Sequence, residues 1–347
     1  MMILRCFSSA VLLALSMAWC MGAHGGSEST VSPPAKRTPA LAQWESLKYG
    51  MFIHFGMSTF TGIEQDPGKL PSATYAPTDL DVDQWIRVAR DAGMKYAVLT
   101  AKHASGHCLW DSKVSWQGKE YDYDVATSGN KTDVVAAFMK ACKKYGLRPG
   151  LYYCLLDYRN NPRLPNKPWQ ADRLPKAFFQ LVQDHLAELL HRYPDVFYFW
   201  LDIPRAATPE QRTELYALIK RIKPACIVLF NHGMEPPKGP ATIADFQAAW
   251  PTDILNTERF PLQVGWFTPL QSWQGQQYYL GYEHCDTICK YWFWRAGDQP
   301  RPVAELRALA KQVADAGGNL LLNVPPNKTG RLPDSHIQAL MELKNAK

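Results

Sequence analysis

The sequence predicts an α/β fold closed as a (β/α)8 TIM-like barrel, and three observations predict it. Strand-like apolar runs alternate with amphipathic helical patterns, which is the pattern of a parallel sheet with crossover helices. About eight such runs can be counted, the number that closes a barrel. Polar and ionisable residues gather at the carboxyl ends of the runs, the rim where a barrel carries its site.

The elements are expected in the following order. A strand at 49–55 precedes a helix at 82–92, a strand at 96–100, a helix at 132–145, a strand at 150–155 and a helix at 176–192. The run 196–202 reads Val-Phe-Tyr-Phe-Trp-Leu-Asp, a strand buried on both faces whose one carboxylate comes last, where the chain leaves the core. Then follow a helix at 209–222, a strand at 226–230, weaker strands near Ile254 and Tyr278, a helix at 303–316 and a strand at 319–324. The strand ends carry His54, then Lys102 and His103, Tyr153 and Asp157, Asp202, Asn231 and His232, then Asn256-Thr257-Glu258, Tyr282-Glu283-His284, and finally Asn323. An open doubly wound sheet is the other architecture compatible with the alternation, but no Gly-rich phosphate loop follows the first strand.

Outside this domain, Arg5 precedes an apolar run at 10–19, with Gly22 and Ala23 after it. Together they read as a secretory signal peptide at 1–23, too short for a membrane span. A periplasmic or extracellular location is the expectation. Residues 24–41 are rich in Gly, Ser, Thr, Pro and Lys and are expected to form a disordered linker, leaving 42–347 as a single catalytic domain. The net charge of +6 includes no Lys/Arg block, so the sequence makes no case for a nucleic-acid partner. The oligomeric state leaves no mark in the sequence.

The rim chemistry is narrowed by what is missing. There is no Gly-x-Ser-x-Gly elbow and no Cys/His set with zinc spacing, so no metal site is expected. Carboxylates from different strands around a pocket of imidazoles and aromatics are the apparatus of glycoside hydrolysis. Asp202 is the candidate nucleophile. Glu64, Glu258 and Glu283 are the candidates for the acid/base: Glu258 follows an apolar strand, Glu283 lies among aromatics, and Glu64 comes from the first loop.

Several stretches resemble the α-L-fucosidases of glycoside hydrolase family 29. They are Lys48-Tyr-Gly-Met-Phe-Ile-His-Phe-Gly56, Ala97-Val-Leu-Thr-Ala-Lys-His103 continued by Cys108-Leu-Trp-Asp-Ser-Lys113, Gly150-Leu-Tyr-Tyr153, Trp200-Leu-Asp202, Glu283 to Trp292, and Gly318-Asn-Leu-Leu-Leu-Asn-Val-Pro-Pro326. They run in order through the whole expected domain. The resemblance implies a retaining exo-glycosidase without cofactor that hydrolyses terminal α-L-fucosides of a fucosylated glycan, and the signal-peptide pattern makes it an exported one. It makes Asp202 the nucleophile, and His54, His103, Tyr153 and Trp292 lining residues of the sugar pocket; Glu258 is similar to the acid/base of part of the family. Glu64, Trp110, Trp200 and His232 complete the expected substrate-binding set. This chain departs from the family at His103-Ala-Ser-Gly106, where His-His-Asp-Gly is usual, and at Ile203-Pro204, where Gly usually follows the nucleophile. A C-terminal β-sandwich is expected to be absent. The departures leave two alternatives open: shifted sugar or linkage specificity, or a catalytically weak fucose-binding protein.

Overall fold

The computed structural model describes residues 31–161, 173–233 and 235–345. The expected signal peptide and the first part of the expected linker lie outside them. The linker's last three residues open a helix, α1 (Pro39–Ser46), capped by the Thr38 side chain, and Leu41 within it is buried. The folded chain therefore begins ahead of Trp44.

Eight strands form one sheet: β1 (Tyr49–Ile53), β2 (Tyr96–Lys102), β3 (Arg148–Cys154), β4 (Tyr198–Asp202), β5 (Ile227–Phe230), β6 (Ile254–Glu258), β7 (Gly281–Thr287) and β8 (Asn319–Asn323). Every pairing between neighbours is parallel, in the order β5-β4-β3-β2-β1-β8-β7-β6. The two ends of that order, β5 and β6, meet without a regular ladder, so the barrel is nearly closed. Side chains bridge the seam: the Val228 N–H donates to the Asp253 carboxylate at 2.8 Å, and the His232 N–H to Asn256 Oδ1 at 2.8 Å.

Local sequence explains the helices between the strands. Asp81 caps the helix Val82–Asp91, and Asp133 caps Val134–Tyr145, which Gly146 ends in the left-handed conformation at φ 73°. Thr208 and Gln211 close a capping box at the start of Pro209–Ile222. The helices Lys176–Arg192, Val303–Asp315 and Asp334–Asn345 complete the outer layer.

Alternation along each strand divides the core in two. Met51, Ile53, Leu99, Leu151, Tyr153, Phe199, Leu201, Val228 and Phe230 face outward into the layer under the helices. Phe52, Tyr96, Val98, Tyr152, Tyr198, Trp200 and Leu229 fill the barrel's interior. Space for this aromatic filling depends on Gly50, where a Cβ would stand 2.5 Å from the Tyr96 ring.

One element differs from expectation in a way that matters for the site. The segment around Tyr278 is not a barrel strand; Gln276–Tyr279 pairs antiparallel with Leu270–Trp273 in a separate hairpin. The seventh barrel strand is Gly281–Thr287, so Tyr282-Glu283-His284 stand at its beginning, and Glu283 pairs with Asn319, the first residue of β8.

Candidate active site

At the carboxyl end of the barrel, inward-facing residues of successive strands enclose a cavity of ≈190 Å³. Its lining takes His54 from beyond β1, His103 from beyond β2, Tyr152 from β3, Trp200 and Asp202 from β4, Asn231 from beyond β5 and Glu258 from β6. Loops add Glu64, Gln65, Ile203, Gly233 and Trp292, and Phe52 lies below. Of the site residues expected from the sequence, His54, Glu64, His103, Trp200, Asp202, Glu258 and Trp292 are brought together here.

The carboxylates of Asp202 and Glu258 face the cavity. Asp202 accepts from the Tyr152 hydroxyl at 2.6 Å and from Asn231 Nδ2 at 2.8 Å. Burial raises its pKa, and these two donors together with the Ile203 N–H oppose that rise. Glu258 accepts from the same Asn231 Nδ2 at 2.9 Å, and its carboxyl is pushed up to about 7, by burial first and then by the charge on Asp202. Because the legs of 2.8 and 2.9 Å meet on one nitrogen, the two bonded oxygens lie at most about 5.7 Å apart. With the two N–H bonds of an amide diverging by about 120°, the separation comes to about 5 Å. Asn231 is itself oriented, since its Oδ1 accepts from Asn256 Nδ2 at 2.7 Å and from the Gly233 N–H at 3.0 Å.

The imidazoles are neutral. Asn323 Nδ2 donates to the Trp292 carbonyl at 2.8 Å, which turns its Oδ1 toward His54; His54 Nδ1, 2.8 Å away, is then the donor. Nε2 of His54 is left as a lone-pair acceptor, and burial holds the ring's pKa well below its ordinary value. His103 is pushed down to about 3 by burial and by Lys102, and stacks on Tyr152 at 5.5 Å with 11° between the planes. Tyr152 in turn stacks on Trp200 at 5.4 Å. Burial raises the pKa of Glu64, while Arg259 and Arg295 act against that rise. Arg259 also covers the Trp292 ring at 4.7 Å. Among the described residues no group of three His, Cys, Asp or Glu side chains is arranged to hold a metal ion.

Four expected residues lie elsewhere. Tyr153 points outward, with its hydroxyl 2.9 Å from His185 Nδ1, because adjacent strand residues face opposite ways; its neighbour Tyr152 has the pocket position. Trp110 is buried in the outer layer and donates to Glu188 at 2.8 Å. His232 turns away from the interior and packs on Phe246 at 4.2 Å, lining a separate cavity. Glu283 is fully buried low in the barrel, where Tyr96, Tyr198 and Trp200 donate to it at 2.9, 2.8 and 3.0 Å. It supports the Trp200 floor and has no access to the cavity. Sequence reasoning missed Tyr152 and passed over Asn231 as a site residue, although it named Asn231 as a strand end.

Comparison with known proteins adds the family. The family model for alpha-L-fucosidase matches residues 69–345. Alpha-L-fucosidase 1 of Arabidopsis thaliana is 28% identical over 321 residues, covering 88% of this chain and 59% of its own length. Alpha-L-fucosidase of Dictyostelium discoideum is 23% identical over 347 residues, with coverages of 88% and 69%. Against the first of these, the chain spans about three fifths of the relative's length. Among solved structures, alpha-L-fucosidase isoenzyme 1 from Paenibacillus thiaminolyticus shares the fold, with a TM-score of 0.70, 23% identity, and coverage of 89% of this chain and 75% of that one. The match runs through every strand that supplies the pocket except β1, and on that ground the chain belongs to the α-L-fucosidase family.

Proposed function

We propose that the protein is a retaining exo-glycosidase that hydrolyses terminal α-L-fucosides. The observation that carries this reading is the single amide, Asn231 Nδ2, holding Asp202 and Glu258 about 5 Å apart. Retaining glycosidases place their carboxyl groups about 5–5.5 Å apart, whereas inverting ones leave room for a water between them.

Asp202 attacks the anomeric carbon as the glycosidic bond breaks, and protonated Glu258 passes its proton to the leaving oxygen. The product of this step is a glycosyl ester on Asp202. Glu258, now a carboxylate, takes a proton from the incoming water, whose oxygen displaces Asp202 and releases the sugar with its configuration retained. A carboxyl titrating at about 7 suits this alternation, being able to give and to take a proton near neutrality. His54 Nε2 is placed to accept from a sugar hydroxyl, and Trp200 and Trp292 offer apolar surface to the ring. A cavity of ≈190 Å³ suits one terminal sugar unit rather than the interior of a chain.

Ala104 favours a second reading, the same chemistry on a related sugar or a particular linkage. It is fully buried where the family usually has a pocket His, so one polar contact to the sugar is lost. Export to the periplasm or exterior rests on the sequence pattern of residues 1–23.

The test is hydrolysis of an aryl α-L-fucoside with proton NMR of the anomer first released. Initial α-anomer supports retention, and initial β-anomer refutes it. An Asp202→Asn variant should bind fucose and lose turnover, and an unchanged rate would remove Asp202 from the role.

A further inference from the structure

The residue that follows Glu258 adopts a conformation its type rarely takes. Arg259 has φ 66°, in the left-handed region where an L side chain is strained. Its N–H donates to the Cys285 carbonyl at 3.1 Å, which carries the β6–β7 pairing one bond further before the chain turns. Such strain persists where the surroundings hold it, and three contacts of the side chain do so here. Arg259 Nη1 lies 3.4 Å from Asp286 Oδ1, Nη2 donates to the Lys290 carbonyl at 3.1 Å, and the guanidinium carbon stands 4.7 Å from the centre of the Trp292 ring. All three partners belong to β7 or to the loop after it, so Arg259 ties the end of β6 to that loop.

The loop is pinned at its base as well. Arg301 Nη1 donates to the other oxygen of Asp286 at 2.8 Å, and the Arg301 N–H to the Ile288 carbonyl at 2.7 Å. Asp286 is therefore shared by the two guanidinium groups, one on each side of the segment that carries Trp292.

Trp292 is what this segment contributes to the sugar cavity. Asn323 Nδ2 fixes its backbone by donating to its carbonyl at 2.8 Å, but a backbone bond leaves the side-chain torsions open. The ring is held by what lies against it, chiefly His54, at 4.9 Å between ring centres, and the Arg259 guanidinium. Arg259 does not line the cavity, so it acts on a bound sugar through Trp292. A guanidinium suits this task, because it can bond in its plane to a carboxylate and a carbonyl while its face rests on an indole. We infer that Arg259 is a positioning residue that sets the Trp292 wall of the cavity and thereby the affinity for the sugar. This inference rests on the reading of the cavity as a fucoside site, and its test separates the two.

The full chain is assayed on an aryl α-L-fucoside as wild type, Arg259→Met, Arg259→Lys, Trp292→Ala and the double variant Arg259→Met with Trp292→Ala, each at its own pH optimum. Met keeps an apolar stem against the indole and removes the charge and both polar contacts. Arg259→Met is expected to raise KM about tenfold with kcat within about threefold, because a wall that binds ground state and transition state alike acts on KM. Arg259→Lys keeps the charge and should raise KM only about threefold, and it keeps the test alive if Arg259→Met does not fold. The double variant should match the KM of Trp292→Ala within about twofold, since Arg259 acts through that ring. Additive KM losses in the double variant, a loss confined to kcat, or an unchanged KM in the Arg259 variants overturn the inference. Should the wild-type chain hydrolyse no fucoside, the catalytic reading falls, and calorimetry with L-fucose makes the same comparison. In that case a Kd about tenfold weaker in Arg259→Met supports the positioning role, and an equal Kd, or no binding by the wild type, overturns it.

Discussion

Replacing Asn231 by Ala should displace the whole pH–rate profile toward higher pH. In the native protein one nitrogen donates to Asp202 at 2.8 Å and to Glu258 at 2.9 Å, and in both cases the bond lowers the carboxyl's pKa against the effect of burial. In the proposed mechanism Asp202 attacks as a carboxylate, so activity is lost as pH falls through its pKa. In the same mechanism Glu258 acts as the protonated acid, so activity is lost as pH rises through about 7. Removing the amide raises both values and moves both limbs upward. A hydrogen bond to a charged group contributes about 1.5–3 kcal/mol, and water entering the vacated space recovers part of it, which leaves a displacement of about one pH unit in the alkaline limb. At its optimum the variant should be about 10- to 100-fold slower in kcat/KM, because the nucleophile has lost one of its two side-chain positioners. The assay is kcat/KM of an aryl α-L-fucoside from about pH 4 to pH 9. Asn256→Ala is the control, since it releases the far side of the same amide without touching either carboxylate, and its limbs should move less. A uniform loss of rate with both limbs in place would refute the idea that Asn231 sets the ionisation of the pair.

Other perturbations probe the frame around the site. Glu283 titrates at about 7 in the fold, above its unfolded value of 4.5, so its ionisation withdraws stability as pH rises between the two, up to about 3 kcal/mol above pH 7. Glu283→Gln should therefore melt higher than the wild type above pH 7, with the gap closing toward pH 4, and should keep its rate within about twofold; a gap independent of pH would contradict the linkage. Ile203 lines the cavity at φ 55°, a conformation that costs a β-branched residue about 1–2 kcal/mol. Urea unfolding should accordingly find Ile203→Gly more stable than Ile203→Ala by about 1 kcal/mol, the reverse of the usual order, and the usual order would mean that the turn is unstrained. Lys102 Nζ lies 3.2 Å from Asp157 with both side chains fully buried, so Asp157→Asn should cost about 3–5 kcal/mol, and a loss below about 1 kcal/mol would mean that the charge is satisfied elsewhere.

What could be read from the sequence follows from where the information for each residue lies. Asp202 ends an otherwise apolar run, and His54 stands two residues beyond Phe52 in another, so their positions are written within single strands. Tyr152 and Tyr153 are adjacent and chemically alike, and the pairing of Tyr152 with Trp200 and of Cys154 with Asp202 decides which of them faces inward. That is a relation between strands, which no one segment carries. Glu283 was misplaced for a related reason: the hairpin of Gln276–Tyr279 imitates a barrel strand, and counting it as one moves Glu283 from the beginning of β7 to an apparent end. Asn231 is the hardest to find, because it carries no charge and does not titrate, and a search led by acids and bases passes over it. Its role arises at the one place where the sheet lacks a ladder. Between β5 and β6 a single backbone bond, from the Asp253 N–H to the Val228 carbonyl at 2.8 Å, stands in place of a ladder; the side chains of Asp253, Asn256 and Asn231 add further bonds, and the Asn231 amide also holds the two carboxylates. The seam thus joins closure of the barrel to the spacing of the pair, so a residue that loosens one should disturb the other. Asp253, which holds both the Val228 N–H and its carbonyl, is where a substitution should lower stability and displace the pH–rate profile together, whereas Asn256→Ala should lower stability and move the profile less.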